Sequence, residues 1–116
     1  MRVLVVDDVP DLRELYSENL EEAGLEVLIA SNGAEGLGVV ERESPDIVLL
    51  DLMMPVMDGY EFLQHLRRMP GHQSTPAVVV SAIATGGFSR RLGASGFVAK
   101  PFDADELVSV LERFAA

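Results

Sequence analysis

Four apolar runs in this chain each end on a residue able to hold a cation or a phosphoryl group. Val3–Val6 runs into Asp7 and Asp8, Ile47–Leu50 into Asp51, Val78–Val80 into Ser81, and Phe97–Ala99 into Lys100, the only lysine. Carboxylates are hard oxygen ligands suited to divalent cations, and a carboxylate can also attack phosphorus to form an acyl phosphate. An ammonium and a hydroxyl beside it can neutralise and hydrogen-bond phosphoryl oxygens, and phosphoryl transfer asks a protein mainly for positioning and charge stabilisation.

Those side chains act together only if the backbone delivers them to one place. Runs of Val, Ile and Leu without alternation are what parallel strands covered by helices on both faces look like, and in open sheets of that kind ligands bind outside the carboxyl ends of the strands. Taken singly, each residue has an ordinary reading. Asp7-Asp8 after a strand serves as a turn or helix cap, and a lysine is usually a surface ion-pair partner. Gathered at one edge, Asp7, Asp8 and Asp51 repel one another unless a cation sits among them, and magnesium suits because it accepts one or two carboxylates and keeps sites for water and phosphate.

The elements between the runs support that delivery. Pro10 to Ala23 carries apolar residues at Leu12, Leu15, Tyr16, Leu20 and Ala23, which predicts a helix capped by Gly24, and Leu25 to Ala30 reads as a second strand. A helix to Glu43 follows, with Ala34, Leu37 and Val40 on its stripe, although Gly36 and Gly38 weaken it. A third helix places Tyr60, Phe62, Leu63 and Leu66 on its apolar side before Pro70-Gly71. Ile83 to Gly96 supports only a brief helix, and the last helix has Asp103 as N-cap, Glu106 at the capping-box position and Leu107, Val110, Leu111 and Phe114 as its stripe. The expected fold is α/β, a doubly wound five-stranded parallel sheet of five βα units. Its flavodoxin-like order 2-1-3-4-5 opens a crevice between the first and third strands.

Composition narrows the function further. The 116 residues, 48% of them hydrophobic, make one domain over 1–116 with one core region, and no internal repeat or linker divides it. Without cysteine there is no disulfide, thiolate metal site or cysteine nucleophile, which suits a cytoplasmic, reducing setting. The apolar start is too short for a signal peptide and nothing approaches a membrane span. A net charge of -10 disfavours direct nucleic-acid binding and favours cationic partners.

The chain resembles the receiver domain of two-component response regulators, from Val3 to about Ala115. The resemblance rests on Asp7-Asp8, the stretch Asp51 to Gly59 (Asp-Leu-Met-Met-Pro-Val-Met-Asp-Gly), Ser81-Ala82 and Lys100-Pro101-Phe102, four signals in the expected order. It implies a phosphorylation-dependent signalling switch rather than a turnover enzyme. Asp51 would accept a phosphoryl group from a sensor histidine kinase or phosphotransfer protein. Asp8, Asp51 and the backbone carbonyl of Met53 would hold Mg2+, with Asp7 orienting it. Lys100 would pair with the phosphoryl group, Ser81 would move to contact it, and Phe97 matches the switch aromatic that turns inward as that hydroxyl moves. The Lys100-Pro101 bond is a candidate for cis.

One stretch departs from the family pattern in two ways. The span from Ser81 to Lys100 is short and glycine-rich, which leaves the output surface and the downstream partner open. Met53 and Ile83, two residues after Asp51 and Ser81, are apolar where the hydrolytic water should pass, so slow autodephosphorylation is expected. Two rival functions remain. An aspartyl-nucleophile phosphatase would show Asp-x-Asp after the first strand, where this chain has Asp7-Asp8-Val9, and it would need a cap; a receiver-like interaction module that takes no phosphoryl group would keep the fold.

Overall fold

The computed structural model describes residues 1–52, 54, 56–81, 93–100 and 102–114. In chain order the elements are β1 (Arg2–Val6), α1 (Pro10–Glu22), β2 (Glu26–Ala30), α2 (Gly33–Glu43), β3 (Ile47–Asp51), α3 (Gly59–Arg68), β4 (Ala77–Ser81), β5 (Gly96–Ala99) and α4 (Ala104–Arg113). All strand pairs are parallel, in the order β2-β1-β3-β4-β5.

Alternation along each strand divides the core in two, which is why the strands read as unbroken apolar runs. Leu4, Val6, Val48, Leu50 and Val79 face one way and pack with Val40 of α2 and Phe62, Leu63 and Leu66 of α3. Val3, Val5, Leu49, Val78 and Val80 face the other way, against Tyr16 and Leu20 of α1 and Leu107 and Leu111 of α4. Each fully buried aliphatic side chain contributes about 1.5 to 3 kcal/mol relative to exposure, so the two layers clamp the sheet that carries the strand ends.

Helix boundaries follow local chemistry. Asn32, Asp58 and Asp103 accept hydrogen bonds from the backbone N–H groups of Glu35, Glu61 and Glu106 at 2.8, 2.9 and 2.8 Å, so three helices start on side-chain caps. The first helix ends as expected at Gly24, with φ +88°. Its N–H donates to the Glu21 carbonyl and the N–H of Leu25 to the Leu20 carbonyl, the paired bonds of a Schellman stop. Leu25 therefore closes the helix, and the second strand starts at Glu26.

Some expectations need correction. Of the stripe expected on α1, Tyr16 and Leu20 are buried, but Leu15 is 48% exposed and Ala23, just past the helix end, is exposed too. Ala34 is exposed, and α2 buries Gly33, Gly36, Val39 and Val40. A Cβ on Gly36 would come within 3.0 Å of the Phe62 ring and 3.1 Å of Val6, so this glycine sets how closely the helix lies on the sheet. Of the segment 83–96, in which a brief helix is expected, Gly93 forms a turn with φ +104° and Gly96 belongs to β5. The rest of that segment up to residue 92, with Ile83, lies outside the described residues, as do Met53 with its carbonyl and Pro101 with the expected cis bond.

Candidate functional site

The register brings the acids together. Val6 of β1 lies opposite Leu50 of β3, so the next residues along, Asp7 and Asp51, meet across the two central strands. Alternation turns both toward the α1 and α4 side, where Val5 and Leu49 already point. Asp7 stays tied to the sheet because its N–H donates to the Ala30 carbonyl at 3.2 Å. With Asp8 from the following turn, the three carboxylates each offer an oxygen, and these oxygens lie within 4.8 Å of one another. Asp7 and Asp51 are buried and Asp8 is half-buried.

Lys100 enters from the far edge. Its N–H donates to the Ser81 carbonyl at 2.9 Å, which extends the β4–β5 ladder by one step, and its Nζ reaches Asp51 Oδ2 at 3.3 Å. Ser81 ends β4 and is buried, opposite Ala99. Phe97, paired with Val79, is half-buried against the α2–α3 layer, and alternation sends Ser81 to the same face as Val79 and Phe97.

The turn reading of the acidic pair holds for one oxygen of Asp7, and the other oxygen is left without a donor among the described residues. Oδ1 accepts the Val9 N–H at 2.9 Å and closes the turn into α1, whose N-cap Val9 has no side-chain cap of its own. Oδ2 is buried and finds no hydrogen-bond partner among the described residues. Burial pushes the Asp7 carboxyl up to about 6; Asp51 and Asp8 add to the rise, while the Val9 hydrogen bond and Lys100 oppose it. The Tyr16 hydroxyl, on the α1 face toward the site, is likewise pushed up to about 12 by burial and then by Asp7 and Asp51. Three carboxylates against one ammonium leave two negative charges, and a buried oxygen without a donor is what a hard divalent ion satisfies, so the residues fit magnesium.

The loop leaving Asp51 is held by close packing. Gly59 N–H donates to the Leu52 carbonyl at 2.9 Å, and a Cβ on Gly59 would stand 2.8 Å from Leu52 Cα and 3.0 Å from the Asp51 carbonyl oxygen. Only glycine lets α3 start against the backbone of the phosphoacceptor candidate.

A family model described as the response regulator receiver domain matches residues 3–112. The chain belongs to that family. The response regulator Rre1 of Synechocystis is 37% identical over 118 residues, covering 98% of this chain and 51% of that protein. An uncharacterised 14.6 kDa protein of Leptolyngbya boryana is 36% identical over 117 residues, covering 98% and 89%. Among solved structures, the chemotaxis protein CheY4 of Vibrio cholerae matches with a TM-score of 0.92 at 32% identity over 97% of each chain. This receiver thus spans most of the small Leptolyngbya protein but about half of Rre1. No helix among its described residues is long and apolar enough to cross a membrane.

One residue at the site escaped sequence reasoning. Arg13, one turn into α1, donates through Nη1 to the Asp7 carbonyl at 2.8 Å. A single arginine among polar helix residues gives no pattern that would mark it.

Proposed function

We propose that this receiver is a phosphorylation-dependent switch in which Asp51 takes a phosphoryl group from the phosphohistidine of a sensor histidine kinase or phosphotransfer protein. The observation that carries the reading is the gathering of three carboxylate oxygens within 4.8 Å, with the only lysine 3.3 Å from one of the three acids. An Asp51 carboxylate oxygen attacks phosphorus; the new O–P bond forms as the donor's N–P bond breaks. The electron pair of that bond returns to the imidazole nitrogen, which takes up a proton. Lys100 holds Asp51 in place before transfer and neutralises the added oxygens afterward.

Asp8, Asp51 and the Met53 carbonyl would hold magnesium, with Asp7 orienting it; when bound, the ion supplies positive charge to the phosphoryl oxygens. Ser81 donates to the same oxygens and Phe97, on its face of the sheet, follows that movement toward the core. A downstream protein reads the change. Neither nucleic acid nor membrane is a direct partner of a chain carrying a charge of -10, and its lack of cysteine suits the cytoplasm.

The residues two beyond Asp51 and Ser81, Met53 and Ile83, carry no hydrogen-bonding group to orient a water for hydrolysis, so the acyl phosphate should persist. Phosphorylate the protein with phosphoramidate and magnesium, remove the donor, and follow the decay by phosphate release. The expected lifetime is minutes or longer, with faster loss in Met53→Asn; a lifetime of seconds in the unsubstituted protein contradicts slow decay, and continuous release from a phosphomonoester would favour a phosphatase.

A further inference from the structure

We propose that Arg13 is a positioning residue for the cation site: its guanidinium fixes the peptide between Asp7 and Asp8 and so presents the two carboxylates together. The proposal rests on the magnesium reading above and extends it to a residue outside the acidic cluster.

The turn from β1 into α1 needs outside support. Its N-cap is Val9, which offers no side-chain acceptor, and among the described residues the side-chain bond that closes the turn from within uses Asp7 Oδ1, whose partner oxygen Oδ2 is buried without a donor. Asp7 is held on its amide side by the bond to Ala30. Its carbonyl side, the peptide that leads to Asp8, is held by Arg13 Nη1 at 2.8 Å. Rotation of that peptide would swing Asp8 relative to Asp7 and Asp51, whose oxygens now lie within 4.8 Å. Arg13 is half-buried in the groove between α1 and the edge strand β2, beside Pro10, Ser17 and Val27. Its helix turn is itself fastened, since the Ser17 hydroxyl donates to the Arg13 carbonyl at 2.6 Å. Partners that orient metal ligands from behind are worth about 10- to 100-fold in metal affinity.

Charge and positioning predict opposite signs, which makes the test sharp. Loss of a positive charge near three carboxylates, acting through Coulomb's law alone, tightens magnesium binding; loss of a positioning bond weakens it. Arg13→Met keeps the aliphatic stem that packs in the groove and removes the donor. Magnesium binding to the whole chain, measured by calorimetry without any phosphodonor, should weaken about tenfold. The melting temperature of the metal-free protein should move by only a few degrees, and the Val9 amide should exchange faster. Arg13→Lys, which retains a donor and the charge, should recover part of the affinity. Equal or tighter magnesium binding by Arg13→Met, beside normal binding by the parent, overturns the proposal alone. Absence of saturable binding by the parent removes the cation reading beneath it.

Discussion

Asp7 shows what the site costs at the scale of one residue. Its carboxyl, pushed up to about 6 from an ordinary 3.8, binds a proton more readily in the folded chain than in the unfolded one. Between those values the folded state holds the extra proton, so the group's contribution to stability is present at low pH and is lost as pH rises through about 6. Asp7→Asn should therefore stabilise the metal-free protein by roughly 2 to 3 kcal/mol at neutral pH, with the gain closing toward about pH 4. In the same pose the amide could place N–H donors where Oδ2 now lies buried without a donor among the described residues, in a side chain clustered with two other carboxylates. Thermal melts across that pH range check it, and magnesium should stabilise the parent far more than the variant. A gain that stays constant with pH would mean that packing, not charge, is the source. That acids, a hydroxyl and a lysine would meet at one edge was legible because each follows an apolar run of strand length. That Asp7 closes the turn with one oxygen and leaves the other without a donor among the described residues was not, since it depends on which oxygen the Val9 N–H reaches.

Among the elements, the junction of β3 with α3 transmits geometry most directly to Asp51. Gly59 lies against Leu52, whose Cδ2 at 2.9 Å could turn aside but whose Cα at 2.8 Å, like the Asp51 carbonyl oxygen at 3.0 Å, is backbone and could not. Gly59→Ala should cost about 1 to 3 kcal/mol, the usual range for overpacking, and should slow phosphorylation because relief requires the Asp51–Leu52 backbone to move. A melting curve and a phosphorylation time course read the two effects; a melting temperature and rate both equal to the parent's would show that the junction gives way freely. The sheet order was legible from the strand runs and the last N-cap from Asp103 ahead of its helix, whereas Asn32 and Asp58, which lie in a turn and a loop of the sequence, cap their helices without having been singled out. The burial of α2 was not, because a helical stripe read by side-chain hydrophobicity passes over Gly36, whose contribution is the missing Cβ against Phe62 and Val6. Likewise, Leu15 and Tyr16 both suit the period of α1, yet only Tyr16 is buried in the layer beneath α1 and α4, where its ring meets Phe102 at a centroid distance of 5.7 Å.

Across the whole molecule, a chain of net charge -10 places three of its carboxylates together at the carboxyl edge of the sheet and brings its single lysine to them. Such a cluster is held together by the two core layers, which bury the strands up to the last residue before each acid. The mutual repulsion of such a cluster is what a divalent cation would relieve, and a phosphoryl group added to Asp51 would bring further negative oxygens for that cation and Lys100 to neutralise. The most direct test is intact mass after incubation with a small phosphodonor and magnesium, with parallel samples lacking the metal and carrying Asp51→Ala. The account predicts a single phosphoryl increment on the parent, strongly reduced when magnesium is chelated and lost in Asp51→Ala. No increment on the parent, or an equal increment on Asp51→Ala, would contradict it.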